Sequence, residues 1–93
     1  MLEIFVDDDR GFVSWLRANP GGFVVNTARK PTAGYLKLHR ATCRTISGTP
    51  PRGSTWTKDY VKACAPTVRQ LSSWAMTQVG GTLGFCGTCH PPT

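Results

Sequence analysis

Acidic side chains are scarce in this chain. Glu3, Asp7, Asp8, Asp9 and Asp59 are the whole supply, against eleven lysines and arginines, for a formal net charge of +6. Three of the five sit in one run near the start, so between residues 29 and 62 only Asp59 opposes Arg29, Lys30, Lys37, Arg40, Arg44, Arg52, Lys58 and Lys62. No carboxylate pair suited to acid–base hydrolysis stands out, and neither a nucleophile motif nor a phosphate-cradling glycine loop is present. No apolar run is long enough to span a bilayer, and the opening Met1-Leu2-Glu3 is acidic where a secretory signal would be basic. These absences lead to the expectation of a non-catalytic, cytoplasmic protein with reduced thiols. The alternative for four cysteines in a secreted chain of this size is a pair of disulfides.

What the chain does contain is a divided set of soft donors. Leu38-His39-Arg40-Ala41-Thr42-Cys43 supplies His-x3-Cys, and Phe85-Cys86-Gly87-Thr88-Cys89-His90 supplies Cys-x2-Cys. Two short-spaced pairs separated by a long insert form a structural zinc pattern, so His39, Cys43, Cys86 and Cys89 are the expected ligands of Zn²⁺. In an extended strand His39 and Cys43 would lie about 13 Å apart, too far to share an ion. The pattern therefore predicts a strand that ends at His39 and turns. Gly87 is expected to give the second pair its backbone freedom. Cys64 is either a substitute for His39 or a small buried apolar residue, and His90 is geometrically awkward as the neighbour of Cys89.

An aliphatic strand ending in a first ligand (Leu36 to Cys43), a helix around Leu71 to Val79, and a Cys-x2-Cys turn followed by proline (Cys86 to Pro91) together resemble the Ada-type zinc-binding domain of bacterial DNA alkylation-repair proteins. The resemblance implies bound zinc, contact with double-stranded DNA and a nucleoid-associated location, with recognition of methylated or otherwise modified DNA as a narrower expectation. Two departures qualify it. The family's first ligand is a methyl-accepting cysteine, and this chain has His39, which carries no thiolate; the insert between Cys43 and Cys86 is also longer than the family's.

Chain length and pattern place the remaining elements. Ninety-three residues make one domain with a modest core, for which a metal is a plausible staple. Leu2 to Val6 reads as a strand. A helix N-capped by Asp9 should follow, burying Phe12 and Trp15 and ending at Asn19-Pro20-Gly21-Gly22. Phe23 to Thr27 and Tyr35 to His39 read as a hairpin around the loop from Ala28 to Gly34, a basic wing carrying Arg29 and Lys30. Asn26 either braces that loop or reads adenine. Trp56 to Cys64 reads as a strand with Trp56, Lys58, Tyr60 and Lys62 on one face. Those side chains suit an anionic polymer, or else the rings pack while the lysines reach outward. Thr67 to Gln70 forms a capping box, and Val68, Leu71, Trp74, Ala75 and Val79 make the apolar stripe of a second helix ending at Gly80-Gly81.

The expected product is an α+β domain, residues 1–93, with a short antiparallel sheet, two helices and a closed zinc site. Its DNA-contacting set is Arg29, Lys30, Lys37, Arg40, Arg44, Arg52, Trp56, Lys58, Tyr60 and Lys62. The rival is a structural zinc module that mediates protein–protein contact, and an effector nuclease or other recruited partner is left open.

Overall fold

The computed structural model describes residues 2–46, 56–58 and 60–91. Asp59 lies outside them, as does the whole stretch from Ser47 to Thr55, which includes Arg52. The elements in chain order are β1 (Glu3–Phe5), α1 (Asp9–Ala18), β2 (Phe23–Thr32), β3 (Tyr35–Arg40), β4 (Tyr60–Ala65), α2 (Val68–Trp74, continuing as a π-helical turn over Ala75–Val79) and β5 (Gly84–Phe85). The fold is α+β: one five-stranded sheet in the order β1-β4-β2-β3-β5 with a helix on each face. The first four strands are antiparallel, as expected, whereas β5 joins β3 in parallel, so the sheet as a whole is mixed.

Alternation in the central strands assigns the side chains to faces. Val25, Leu38, Ala63 and Ala65 point toward α2 and join Leu71, Trp74 and Ala75 in one buried cluster. Val24, Cys64 and His39 occupy one cross-strand row on the opposite face, where Phe12 and Trp15 of α1 close over Val24 and Cys64. Leu71 and Phe12 are fully buried, each contributing about 2 to 3 kcal/mol of apolar transfer.

The helix ends show local chemistry at work. Thr67 accepts from the Gln70 N–H at 3.3 Å while its hydroxyl donates to Gln70 Oε1 at 2.9 Å, and Gly80, at φ 81°, ends the π turn in the left-handed region. At α1 the cap is Asp8, whose Oδ1 accepts from Gly11 N–H at 2.9 Å. Asp9, the expected cap, lies one residue inside the helix and turns to the chain before β4. It accepts the Trp56 and Thr57 N–H groups at 2.8 Å each and the Thr57 hydroxyl at 2.6 Å. The Thr57 hydroxyl in turn accepts from the Asp8 N–H at 2.7 Å, so helix start and β4 approach are tied together.

Two expectations about β2 and β4 change. β2 runs on to Thr32, with a register break after Thr27, so the loop expected over Ala28 to Gly34 shrinks to a tight turn at Ala33-Gly34. β4 begins only at Tyr60; Trp56, Thr57 and Lys58 form a bend held over the sheet. The tip of the hairpin is fixed from the far side of the molecule. A Cβ built on Gly81 would come within 2.9 Å of Ala33 Cα and Leu36 Cδ1, so backbone meets backbone there and only glycine fits.

Candidate metal centre

β3 delivers His39 buried onto the α1 face, and the chain then turns, with the Cys43 N–H donating to the Arg40 carbonyl at 2.9 Å. That turn carries Cys43 back toward His39, as the x3 spacing requires. From the other side, β5 pairs with β3, and the Cys86 N–H donates to the Leu38 carbonyl at 3.0 Å, which sets the second cysteine pair beside the first. The ligand atoms of His39, Cys43, Cys86 and Cys89 all lie within 4.8 Å of one another. Cys43 Sγ and Cys86 Sγ are 3.9 Å apart, far beyond a disulfide bond and close to the ~3.8 Å edge of a tetrahedron with metal–sulfur bonds of about 2.3 Å. None of the four cysteines is in a disulfide. The donor set and its spacing fit a metal ion.

Surrounding groups orient these donors. The Arg40 N–H points at Cys89 Sγ and the Thr88 N–H at Cys86 Sγ, both at 3.3 Å. The Arg40 guanidinium donates to the Cys89 and His90 carbonyls at 3.0 Å each, clamping the C-terminal turn to the end of β3. Thr45 Oγ1 sits 3.0 Å from Cys43 Sγ and 3.3 Å from His39 Nδ1, bridging the two ligands of the first pair. The left-handed residue in the C-terminal turn is His90, at φ 46°, while Gly87 stays outside that region. The His90 N–H closes the turn onto the Cys86 carbonyl at 3.1 Å, so His90 serves the turn through its backbone.

The electrostatics match the geometry. Burial, with help from the nearby Lys37 and Lys62 charges, brings His39 from its ordinary 6.5 down to about 4, which keeps the imidazole neutral and able to ligate. Burial pushes the Cys86 thiol up, but hydrogen bonds from the Cys89 and Thr88 N–H groups and from the neighbouring thiols outweigh it and bring it down to about 7. Cys89 is pushed up to about 11, by burial first and by Cys43 and Cys86 second. Three sulfurs this close do not all ionise unless a cation joins them.

Cys64 is separate from this group. It is fully buried opposite Val24 and Glu3, with its thiol pushed up by burial and by Glu3, which is the behaviour of a packing residue.

The residues read as DNA-contacting are scattered more widely. Trp56 and Lys62 are buried, at 7% and 3% exposure, which corrects their expected place on an open strand face. Trp56 packs edge-on against Phe12, and the Lys62 ammonium donates to the Trp56 carbonyl at 2.5 Å and lies 5.9 Å from the Phe12 ring centroid. Burial brings Lys62 down to about 8 even though the Asp9 charge opposes the change. Arg29 pairs with Asp7 and also donates to the Lys58 carbonyl, so half of the expected basic wing is engaged within the fold. Arg40 holds the metal turn. Lys30, Arg44, Lys58 and Tyr60 are exposed, and Lys37 on β3 is half-buried. Among the described residues no helix is long and apolar enough to cross a membrane.

The polar latch formed by Asp9, Thr57 and Lys62 was not legible as a unit, because its members are remote in sequence. The one available signal is the surplus of acids in Asp7-Asp8-Asp9, of which a helix start needs one. Compared with known proteins, the chain matches no protein-family profile, no curated protein and no solved structure.

Proposed function

We propose that this domain binds nucleic acid, with duplex DNA as the partner, and that its metal is a structural Zn²⁺ held by His39, Cys43, Cys86 and Cys89. Three thiolates and a neutral imidazole are the donors that zinc takes in closed tetrahedral sites, and four protein ligands leave no position for a reacting water. The domain is accordingly non-catalytic on this reading. The N–H groups aimed at Cys86 and Cys89 lower the nucleophilicity of those sulfurs, and the first ligand is an imidazole. Both features argue against methyl acceptance, while the likeness to the Ada-type domain supports DNA as the polymer.

The observation that carries the reading is where the charge is left unspent. Asp7, Asp8 and Asp9 are consumed by Arg29, the α1 cap and the Trp56-Thr57 bend, whereas Lys30, Arg44 and Lys58 remain exposed with Lys37 close to the surface. An excess of exposed cations draws a polyanion. The test is a salt titration of binding to duplex oligonucleotides by zinc-loaded protein. The log–log slope should be about −0.9 per phosphate neutralised, and replacing Lys30 and Lys37 together with alanine should flatten it by about two units. An unchanged slope, or no binding at low salt, defeats the proposal. A second reading, a protein-interaction module, draws on the shallow groove along α2 lined by Val68, Ser72, Met76 and Thr77, in which Met76 is 64% exposed. Association there should respond little to salt.

A further inference from the structure

The α1 face of the sheet is covered only in part. α1, the Trp56-Thr57 bend and the metal turns occupy the end that carries Val24, Cys64 and His39. At the other end the same face presents Tyr35 and Tyr60, whose ring centroids are 5.7 Å apart with an interplanar angle of 60°. Tyr60 is 49% exposed, although a tyrosine ring facing a sheet is ordinarily packed under something. The floor around the rings is built from small residues. Ala28 stands directly opposite Tyr60, and Gly84 directly opposite Lys37 on its outer side, so the strand positions that flank the tyrosine and the lysine carry small residues.

One polar group beneath the pair is only half satisfied. Asn26 shares its row with Lys37 and Lys62, and its Nδ2 donates to the Tyr35 hydroxyl at 3.1 Å. Its Oδ1 is buried without a partner, an arrangement that costs about 1 to 3 kcal/mol and that a matching donor relieves. An open ring face and a cation on the same sheet surface are the groups that recognise a nucleobase attached to a phosphate chain, and the Asn26 amide positions the Tyr35 ring from beneath.

We infer that the Tyr35–Tyr60 step receives an unpaired nucleobase, stacked on the Tyr60 ring while Lys37 faces the adjoining phosphate. A base within a continuous duplex hides both of its faces in the stack, so the ligand is a nucleotide that is single-stranded, mismatched or extruded from the helix. This rests on the nucleic-acid reading above and narrows it to one face and one state of the base.

The experiment uses zinc-loaded full chain and three labelled oligonucleotides of the same sequence: a matched duplex, that duplex with one central unpaired base, and the single strand. Fluorescence anisotropy is read at one low salt concentration, with heparin as a polyanion that has no bases. The unpaired base should bind more tightly than the matched duplex. Tyr60→Ala should remove that preference, weakening the unpaired-base complexes by about 5- to 100-fold while changing matched-duplex affinity less than about twofold. Tyr60→Trp should keep or strengthen the preference, which separates loss of stacking from loss of folding. Equal binding of matched and unpaired substrates, competition by heparin alone at the affinity of the oligonucleotides, or an unaffected Tyr60→Ala overturns the inference and leaves the broader reading standing. Failure of every oligonucleotide to bind overturns both.

Discussion

The two faces of the sheet are closed by different physics. On the α2 side the closure is apolar: Val25, Leu38, Ala63, Leu71, Trp74 and Ala75 exclude water with little help from polar groups. On the α1 side the helix supplies Phe12 and Trp15, and Phe5, Ile46 and Trp56 join them from other segments of the chain. Those segments are held by two polar devices, the His/Cys cluster and the hydrogen-bonded bracket of Asp9, Thr57 and Lys62. The contrast teaches that an apolar layer assembled from turns and bends is fixed by directional bonds, where a layer carried on one helix is fixed by packing. Such bonds leave room for an open patch and respond to metal, acid and salt.

Removing the proposed zinc should produce the largest effect that separates the faces. Structural zinc contributes an apparent ~10 to 16 kcal/mol in small modules, so chelation should lower the melting midpoint by roughly 20 °C or more. Hydrogen exchange should show protection lost first at residues 41–46 and 86–90 and last in the paired centre of β2, β3 and β4. Uniform loss would mean that the faces are not separable. Truncating the apolar side comes next: Leu71→Ala should cost about 2 to 5 kcal/mol in denaturant melts with metal content unchanged by elemental analysis.

Acid distinguishes the faces by sign. Because His39 is held at about 4 in the fold against an ordinary 6.5, the folded state favours the neutral ring. The stability that follows is therefore fully present above pH 6.5 and is lost as pH falls from there toward 4, by about 3 kcal/mol from this group, in the same direction as metal release. A denaturant series between pH 7 and 4 should show that decline in the wild type, and stability unchanged over that range would count against it. The smallest effect belongs to the apolar side: Thr67→Ala removes one helix cap and should cost about 1 kcal/mol with no change in metal binding or pH profile.

Legibility in the sequence follows the same division. The α2 stripe, its Thr67 cap, the Gly80 stop and the two short-spaced pairs His39/Cys43 and Cys86/Cys89 are local patterns, each contained in a few residues, and each appears in the structure; the convergence of the two pairs is legible only because four soft donors satisfy one ion. The role of Asp9 is not legible because its partner Thr57 lies almost fifty residues away, and that of Lys62 because its partner Trp56 comes within reach only once the chain bends. Trp56 alternates convincingly with Lys58 and Tyr60, yet period-two alternation has no meaning where the chain bends, and the bend exists because Asp9 grips it. The parallel strand Gly84–Phe85 is too short to carry a pattern and is defined by its neighbour alone. Arg29 reads as a free cation at a loop tip because Asp7, its partner, lies twenty-two residues earlier, on the far side of α1 in the chain.

The close seat of Ala33 against Gly81 bears on how fast a partner is captured. A hairpin pinned at its tip has little freedom left to surrender, so encounter with a long charged molecule requires orientation but no rearrangement of this arm. Association should then be governed by ionic strength and diffusion, and a bulky residue at position 81, by prying the hairpin from the helix end, should slow capture even though it touches no partner.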